Sequence, residues 1–287
     1  EMAGLGVKSV MFAGEGEPIL HTGLGGIIAG ARRAGIDCSL TTNAVLMTES
    51  FLEEGLSSLA WIKVSINGGT PETYAAVHRS PAADFERALG NIRRAVCLKN
   101  ERGFSVALGA QMVLLPENAA EAVSLARRLR DLGLDYLVIK PYSQHKASLT
   151  RRYEGIRYGD YMRLADEIEK VEDGRFHVVF RRRAMAKQDD ADRKYTTCYS
   201  TPHFWAYVMA SGDVYGCSAY LLDERFRYGN LHSETFSALW GGELRRKNLK
   251  YVLDELDIME CRKNCRMDEV NRYLWALKYP HPHSNFI

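Results

Sequence analysis

The chain has 287 residues, of which 46% are hydrophobic and 26% are charged, and a formal net charge of +2. This size and composition predict one large or two modest globular domains and exclude disordered and collagen-like chains. A charge this close to zero gives no basic field for displacing counterions from phosphates, so we expect no nucleic-acid partner. The apolar runs fall well short of the ~20 residues of a membrane span, so we expect no membrane partner either.

Short apolar runs alternate with longer amphipathic segments in the first half of the chain. The runs predict strands, each buried on both faces, at residues 7–13, 36–41, 61–66, 106–115 and 136–139. Apolar residues at helical spacing predict helices at residues 24–34, 49–59, 85–99 and 119–132. This βα order predicts parallel strands, in either a doubly wound sheet or a closed or partial TIM-like barrel. Ligands of such folds bind at the carboxyl ends of the strands.

The pattern changes after Pro141. Residues 158–171 predict a helix and residues 176–180 a strand, and the polar stretch at 181–194 is typical of a linker. Residues 205–209 and 214–216 predict a hairpin, because Ala210, Ser211, Gly212 and Asp213 form a good turn sequence between them. We therefore predict a first domain at residues 1–194 and a second, smaller one at residues 195–287.

Small polar and acidic residues follow the first three predicted strands. They are Gly14, Glu15, Gly16, Glu17 and Pro18 after the first, Thr42 and Asn43 after the second, and Ser65 and Asn67 after the third. Glycines let a backbone approach a ligand closely, and carboxylates accept hydrogen bonds from an ammonium group. An ordinary tight βα turn is the alternative reading of the first group. Together these residue types suit a ribose and an amino acid better than a metal.

The fourth and fifth predicted strands carry two further candidates. Gln111 interrupts an otherwise apolar run and must find a partner, because an unpaired buried amide costs about 1–3 kcal/mol. Its alternative role is that of a satisfied core amide. The fifth strand ends in Lys140, Pro141 and Tyr142.

In this order and spacing the motifs resemble those of the radical S-adenosylmethionine (SAM) superfamily, over nearly the whole chain. The resemblance implies a partial (βα)6 TIM-like barrel. It implies that residues 14–18 hold the methionine amino group, that Ser65 and Asn67 face the ribose, and that residues 139–142 lie against adenine. Arg79, which ends the motif at residues 74–79, would reach the methionine carboxylate.

The sequence departs from this family at its initiating cluster. The family binds a 4Fe–4S cluster through Cys-x-x-x-Cys-x-x-Cys, and these 287 residues contain no such triplet. Cys261 and Cys265 have the first spacing, but Asp268 stands where a third ligand would be. We therefore expect the first strand and the cluster loop upstream of Glu1.

The chain has six cysteines, too few for a disulfide-scaffolded secreted domain, which favours a reducing, cytoplasmic setting. Cys38 and Cys97 are predicted to be ordinary buried residues. The remaining four are candidate metal ligands, at Cys198, Cys217, Cys261 and Cys265. Their spacing leaves zinc, an iron–sulfur cluster and free thiols open.

Residues 211–217, 228–231 and 236–240 resemble the SPASM/Twitch extension of radical SAM enzymes. That extension binds auxiliary 4Fe–4S clusters, and four cysteines are the number expected of the shorter Twitch form. The resemblance therefore implies that the four tail cysteines hold one auxiliary cluster.

The same resemblance implies an enzyme that generates a 5′-deoxyadenosyl radical, abstracts a substrate hydrogen and uses the auxiliary cluster in a net oxidation. Dehydrogenation of an alcohol on a sugar or aminocyclitol is one expectation, and modification of a ribosomal peptide is the alternative. A one-electron donor such as flavodoxin or ferredoxin is an implied partner. A zinc-stapled, non-catalytic nucleotide-binding protein is the alternative of another class. Tyr142, His145, Lys146 and Arg152 are candidate substrate contacts, because they follow the last predicted barrel strand.

Overall fold

The computed structural model describes residues 1–14, 16–145, 148–189 and 193–286. The chain folds into two compact units. The sheet unit comprises residues 6–142 and 155–189, and the cysteine unit comprises residues 1–5, 143–154 and 190–287. The predicted domain boundary after residue 194 stays a prediction. Within the described residues, no helix has the length and apolar character needed to cross a bilayer.

One parallel sheet organises the sheet unit, with six strands in chain order. They are β1 Ser9–Phe12, β2 Asp37–Thr42, β3 Leu59–Ser65, β4 Ala107–Leu114, β5 Tyr136–Pro141 and β6 His177–Phe180. The five predicted barrel strands therefore exist, and the strand predicted after them joins the same sheet as β6. Because all six run in parallel, their carboxyl ends lie along a single edge.

The described part of the sheet unit has seven α-helices, which connect or follow these strands. They are α1 Leu24–Arg33, α2 Glu49–Gly55, α3 Pro71–His78, α4 Ala83–Arg102, α5 Ala122–Asp131, α6 Met162–Glu169 and α7 Arg182–Asp189. Thr48 and Thr70 cap α2 and α3 with side-chain hydrogen bonds to Phe51 N and Thr73 N, and Gly103 ends α4 at a φ of 65°. These are ordinary sequence signals for where helices begin and end.

The linker prediction for residues 181–194 is wrong at α7. The charged sequence of α7 does not predict a helix, but Met185 is fully buried in the core of the sheet unit. One apolar side chain packed against the core stabilises a short helix that a polar composition does not predict.

The prediction that the strands are buried on both faces is wrong for β3 and β5, which are buried on one face only. On β3, Ile62 and Val64 lie in the core, whereas Trp61, Lys63 and Ser65 on the other face are only partly buried. The same alternation runs through β5 and through residues 110–114 of β4. Helices therefore cover one face of the sheet, as in a barrel wall, and the opposite face, here called the inner face, carries polar side chains.

In the cysteine unit, the described residues form a three-stranded antiparallel sheet and four α-helices. The strands are β7 Tyr207–Val208, β8 Asp213–Tyr215 and β9 Arg227–Asn230, and the helices are α8 Thr201–Phe204, α9 Phe236–Gly241, α10 Glu243–Asp254 and α11 Asp268–Lys278. The predicted hairpin is β7–β8. The hydrophobic core of the cysteine unit includes Tyr220, which stacks on Phe226 with ring centroids 4.2 Å apart.

Candidate functional sites at the strand ends and among the thiols

Glu17 connects the loop after β1 to the carboxyl end of β2. Its Oε1 accepts hydrogen bonds from Thr42 Oγ1 at 2.6 Å and from Ile19 N at 3.1 Å, and its Oε2 accepts from Asn43 N at 2.7 Å. A carboxylate has about four lone-pair sites, so three bonds leave room for one more donor. Glu17 is thereby held in place and can still receive an ammonium group.

The glycine-rich loop around Glu17 is open on the side of Gly16. A Cβ added to Gly16 would meet nothing within 4 Å, and Gly14 adopts a φ of 139° that favours glycine. Pro18 begins a 3₁₀ turn at Pro18–Leu20. Glu15 lies outside the described residues. The loop thus leaves its backbone accessible to a ligand, which fits the predicted cradle for an amino acid.

Three side chains form a hydrogen-bonded row across the ends of β3, β4 and β5. Gln111 Nε2 donates to Ser65 Oγ at 2.9 Å, and Lys140 Nζ donates to Gln111 Oε1 at 3.0 Å. All three lie on the inner face and are partly buried. Gln111 is therefore a satisfied amide, and its partners are two other residues at the strand ends.

Asn67 is held from three directions. Its Oδ1 accepts from Val113 N at 2.8 Å, its backbone N–H donates to His78 Nε2 at 3.0 Å, and its carbonyl accepts from Asn118 Nδ2 at 3.0 Å. Burial lowers the pKa of His78 to about 4, so at neutral pH its ring is uncharged and can accept this hydrogen bond. These contacts fix the loop that follows Ser65.

The next turn of that loop is fixed by Glu121. Its carboxylate accepts from Gly69 N at 2.6 Å, Thr70 Oγ1 at 3.0 Å and Thr73 Oγ1 at 2.7 Å. Burial opposes ionisation of Glu121, but these hydrogen bonds lower its pKa overall. The carboxylate also lies beside the first turn of α3, where a negative charge is favourable.

Arg79 and the residues after β5 lie in different surroundings. Arg79 is exposed at the end of α3 with a φ of 55°, and within the described residues its side chain makes no hydrogen bond or ion pair. Pro141 is buried at the end of β5, and Tyr142 N donates to Tyr158 Oη at 2.6 Å. The predicted contact of Arg79 with a methionine carboxylate remains a prediction.

In the cysteine unit, Cys198 is buried among hydrogen-bond donors. Thr201 Oγ1 lies 3.3 Å from its sulfur, and Asn271 Nδ2 donates to it at 3.5 Å. Burial opposes ionisation, but hydrogen bonds from Thr201, Asn271 and Ser200 lower the pKa of Cys198 overall. These donors favour the thiolate, which is the form that binds metals.

The other three candidate thiols share the neighbourhood of Cys198. Burial raises the pKa of Cys217 to about 12, a hydrogen bond from Ala219 N opposes the rise, and the charges of Cys265, Cys261 and Cys198 add to it. Burial likewise raises the pKa of Cys265, and the charges of Cys198 and Cys261 add to that rise. The four thiols are thus close enough to repel one another as thiolates, and bound metal cations would relieve that repulsion.

Among the described side chains, no three of His, Cys, Asp or Glu are placed to hold one metal ion. Tetrahedral zinc would need its sulfurs about 2.3 Å from a common centre. The mutual effects of the thiols on their pKa values indicate one shared neighbourhood and leave the kind of metal centre open.

Several supporting residues were not predicted from the sequence. Arg193 donates to the carbonyls of Cys261 at 2.9 Å and Arg262 at 2.7 Å, and Asn271 Oδ1 accepts from Tyr199 N at 2.8 Å and Ser200 N at 3.0 Å. A polar residue on the buried face of α11 is the one sequence feature that could have indicated Asn271. Cys38 is buried as predicted, whereas Cys97 is exposed on α4, so that prediction was wrong. Helical spacing puts Cys97 next to the buried Val96 but not on its face.

Two family models match the chain. Residues 1–129 match the radical SAM superfamily, and residues 198–266 match SPASM, an iron–sulfur cluster-binding domain.

Three curated relatives match part of the chain. It is 33% identical over 128 residues to the dTDP-4-amino-4,6-dideoxy-D-glucose ammonia-lyase of Streptomyces venezuelae, covering 44% of this chain and 26% of that protein. It is 35% identical over 80 residues to an S-adenosylmethionine-dependent nucleotide dehydratase of Lacinutrix mariniflava, covering 28% and 17%. It is 26% identical over 143 residues to a tungsten-containing aldehyde ferredoxin oxidoreductase cofactor-modifying protein of Pyrococcus furiosus, covering 46% and 37%. The matches therefore span well under half the length of these relatives.

Two solved structures share the fold. Streptococcus suis SuiB bound to S-adenosylmethionine has a TM-score of 0.64 at 16% identity, over 91% of this chain and 61% of that one. The protein anSMEcpe with bound AdoMet has a TM-score of 0.56 at 19% identity, over 86% of this chain and 67% of that one.

Proposed function

Because the chain belongs to the radical SAM superfamily and carries its SPASM iron–sulfur segment, we propose that it is an oxidoreductase acting on a sugar-like small molecule. Its cofactors are S-adenosylmethionine and iron–sulfur clusters. When bound, these cofactors supply a 5′-deoxyadenosyl radical that removes a substrate hydrogen, and an auxiliary cluster that can accept the second electron of a net oxidation. The protein supplies binding, orientation and electrostatics.

The strand-end network is the observation that carries this proposal. Glu17 keeps one acceptor site for the methionine ammonium group, and Ser65 and Asn67 provide polar groups on the next loop but one. Glu17 is fixed by three hydrogen bonds and Asn67 by three others, so little ordering remains to be done when a ligand binds. Such preorganisation favours affinity for a small polar ligand.

In the cysteine unit, we propose that Cys198, Cys217, Cys261 and Cys265 hold an auxiliary 4Fe–4S cluster. The donors around Cys198 support its ionisation, and Arg193 fixes the backbone carbonyls of the segment that begins at Cys261. The radical SAM family also uses an initiating 4Fe–4S cluster, for which residues 1–287 contain no Cys-x-x-x-Cys-x-x-Cys triplet. A one-electron donor such as flavodoxin or ferredoxin would reduce it.

The names of two relatives support a sugar or nucleotide as the substrate class. One is an ammonia-lyase of a dTDP-linked amino sugar, and the other is a nucleotide dehydratase. Both names describe eliminations, whereas we propose an oxidation because an auxiliary cluster on the four thiols would be able to accept an electron. Product analysis separates the two outcomes.

The test is anaerobic reconstitution of the full-length protein with iron and sulfide, in a form that carries the initiating cluster as well as the four thiols. It is then incubated with S-adenosylmethionine, a reductant and candidate nucleotide-linked sugars. We expect 5′-deoxyadenosine in step with a product that has lost two hydrogens. A product that has lost ammonia or water instead would show that the reaction is an elimination and would contradict the proposed oxidation. A colourless protein holding one zinc ion would overturn the radical SAM assignment of the thiols and favour the zinc-stapled alternative.

A further inference from the structure

A row of hydrogen bonds joins Ser65, Gln111 and Lys140. The chemistry of these side chains determines which group donates in each bond. Ser65 and Gln111 are paired in register between β3 and β4, and Lys140 pairs with Val113 two residues further along β4. The distances are 2.9 Å from Gln111 Nε2 to Ser65 Oγ and 3.0 Å from Lys140 Nζ to Gln111 Oε1. Three strands thus contribute one side chain each to a continuous chain of hydrogen bonds.

The lysine determines which way the amide points. An ammonium group has three donors and no acceptor, so the atom of Gln111 that faces Lys140 must be the oxygen. The two ends of a glutamine amide are often interchangeable, but here the cation removes that choice. The amide nitrogen therefore faces Ser65 and donates to it.

The oxygen of the Ser65 hydroxyl then accepts a hydrogen bond, whereas its proton is available to a further acceptor. A serine hydroxyl has one proton and can accept two hydrogen bonds. Within the described part of the chain, Ser65 accepts the bond from Gln111 and donates its own proton to no group. The proton is therefore available to a ligand at the strand ends.

We propose that Lys140 and Gln111 are positioning residues that make Ser65 a hydrogen-bond donor to a ribose hydroxyl oxygen of the bound nucleoside. This inference rests on the proposed function, because it requires an adenosyl ligand at this edge of the sheet. Bonds in a row polarise one another, so the ammonium group at one end strengthens the donor at the other. The row contributes by orienting Ser65, and Lys140 and Gln111 need not touch the ligand.

The decisive variant is Gln111→Glu. The new carboxylate accepts hydrogen bonds only, so it keeps its contact with Lys140 but draws the Ser65 proton toward itself. We expect the dissociation constant of S-adenosylhomocysteine, which lacks the sulfonium charge, to rise about fivefold, as for one lost neutral hydrogen bond. Ser65→Ala should give a similar rise, and Gln111→Glu added to Ser65→Ala should give no further rise.

Two controls isolate the row. Ser39→Ala removes a hydroxyl from the same face of the sheet, opposite Trp61 in the register, and should leave affinity unchanged. The 2′,3′-dideoxy analogue of S-adenosylhomocysteine should bind the wild type and Gln111→Glu equally, because it lacks the oxygens that Ser65 would reach. Binding is measured by calorimetry on the anaerobically reconstituted protein, and folding by circular dichroism.

The outcomes separate this inference from the proposed function. No binding of S-adenosylhomocysteine to the wild type contradicts the proposed function. If S-adenosylhomocysteine binds the wild type and Gln111→Glu equally tightly, the positioning role of the row is contradicted and the proposed function is not. A further loss of affinity in the double variant would contradict the positioning role in the same way. If Gln111→Glu does not fold, Lys140→Met is the second test, because it removes the ammonium group that orients the Gln111 amide. Weaker binding of S-adenosylhomocysteine to this variant supports the positioning role, and unchanged binding overturns it.

Discussion

At the scale of single residues, Glu17 connects the loop after β1 to the end of β2 through hydrogen bonds from Thr42 and Asn43. In Glu17→Gln, one carboxylate oxygen becomes an NH2 donor that faces a backbone N–H, either that of Asn43 or that of Ile19. We expect a loss of about 1–3 kcal/mol in the free energy of unfolding from the unsatisfied contact. The affinity for S-adenosylmethionine should fall about tenfold, as expected when a charge-assisted hydrogen bond is lost.

Urea unfolding and calorimetry measure these two effects of Glu17→Gln. The matched control is Glu101→Gln on the exposed surface of α4, which should change neither quantity. An affinity that stays unchanged in Glu17→Gln would show that the ligand does not use this carboxylate.

His78 gives the sheet unit a pH dependence of its own. Its pKa is about 4 in the folded chain, because burial disfavours the charged ring, against 6.5 for the free side chain. The unfolded chain therefore binds more protons between these pH values, so stability falls as the pH drops from about 6.5 to 4. The full effect is on the order of 3 kcal/mol.

The comparison that isolates this effect is His78→Gln, whose amide oxygen can accept the hydrogen bond from Asn67 N but does not titrate. The free energy of unfolding, measured in urea from pH 7 to 4, should fall less steeply in this variant. Parallel curves for the two proteins would mean that His78 is charged, or is accessible to protons, in the folded state.

At the scale of elements, the turn between β3 and α3 requires glycine. A Cβ on Gly68 would lie 2.3 Å from Tyr74 N, which is backbone and cannot move aside as a side chain does. We expect Gly68→Ala to lower the free energy of unfolding by about 1–3 kcal/mol. Gly90 lies inside α4 with nothing within 4 Å of an added Cβ, so Gly90→Ala should raise stability by about 0.5–1 kcal/mol. Equal effects of the two variants in urea unfolding would contradict this account of the turn.

The elements that the sequence predicts well are those whose pattern comes from one buried face. The β-branched runs indicate β1 to β5, and apolar spacing indicates α1, α4 and α5. Helix α3 was not predicted because it begins at Pro71 and fully buries only Tyr74, which is too little apolar periodicity to detect. Burial on both faces was wrongly predicted because runs such as 106–115 contain small or apolar residues on the inner face as well.

At the scale of the whole molecule, the strand ends were predictable because parallel order alone brings them to one edge. The residues that support the strand ends and the thiols were not predictable in this way. Glu121 reaches Gly69 across 52 positions of sequence, and Asn271 reaches Cys198 across 73. Contacts this distant depend on tertiary packing, which no local spacing encodes. The cysteine unit likewise includes residues 1–5 and 143–154, which chain order assigns to the sheet.

Because the four thiols and the strand ends lie in different units, we expect the cluster and S-adenosylmethionine to bind independently. In Cys217→Ala one of four thiols is lost, so we expect the iron of one 4Fe–4S cluster and all product formation to disappear. S-Adenosylmethionine affinity should change less than twofold, because the strand-end contacts lie wholly within the sheet unit. Cys97→Ala, an exposed cysteine of α4, is the matched control and should keep its iron, its ligand affinity and its activity. Iron analysis, visible absorption near ~400 nm for the cluster and calorimetry measure the three quantities. Equal loss of iron and of S-adenosylmethionine binding in Cys217→Ala would mean that the four thiols stabilise the whole fold instead of holding a separate redox centre.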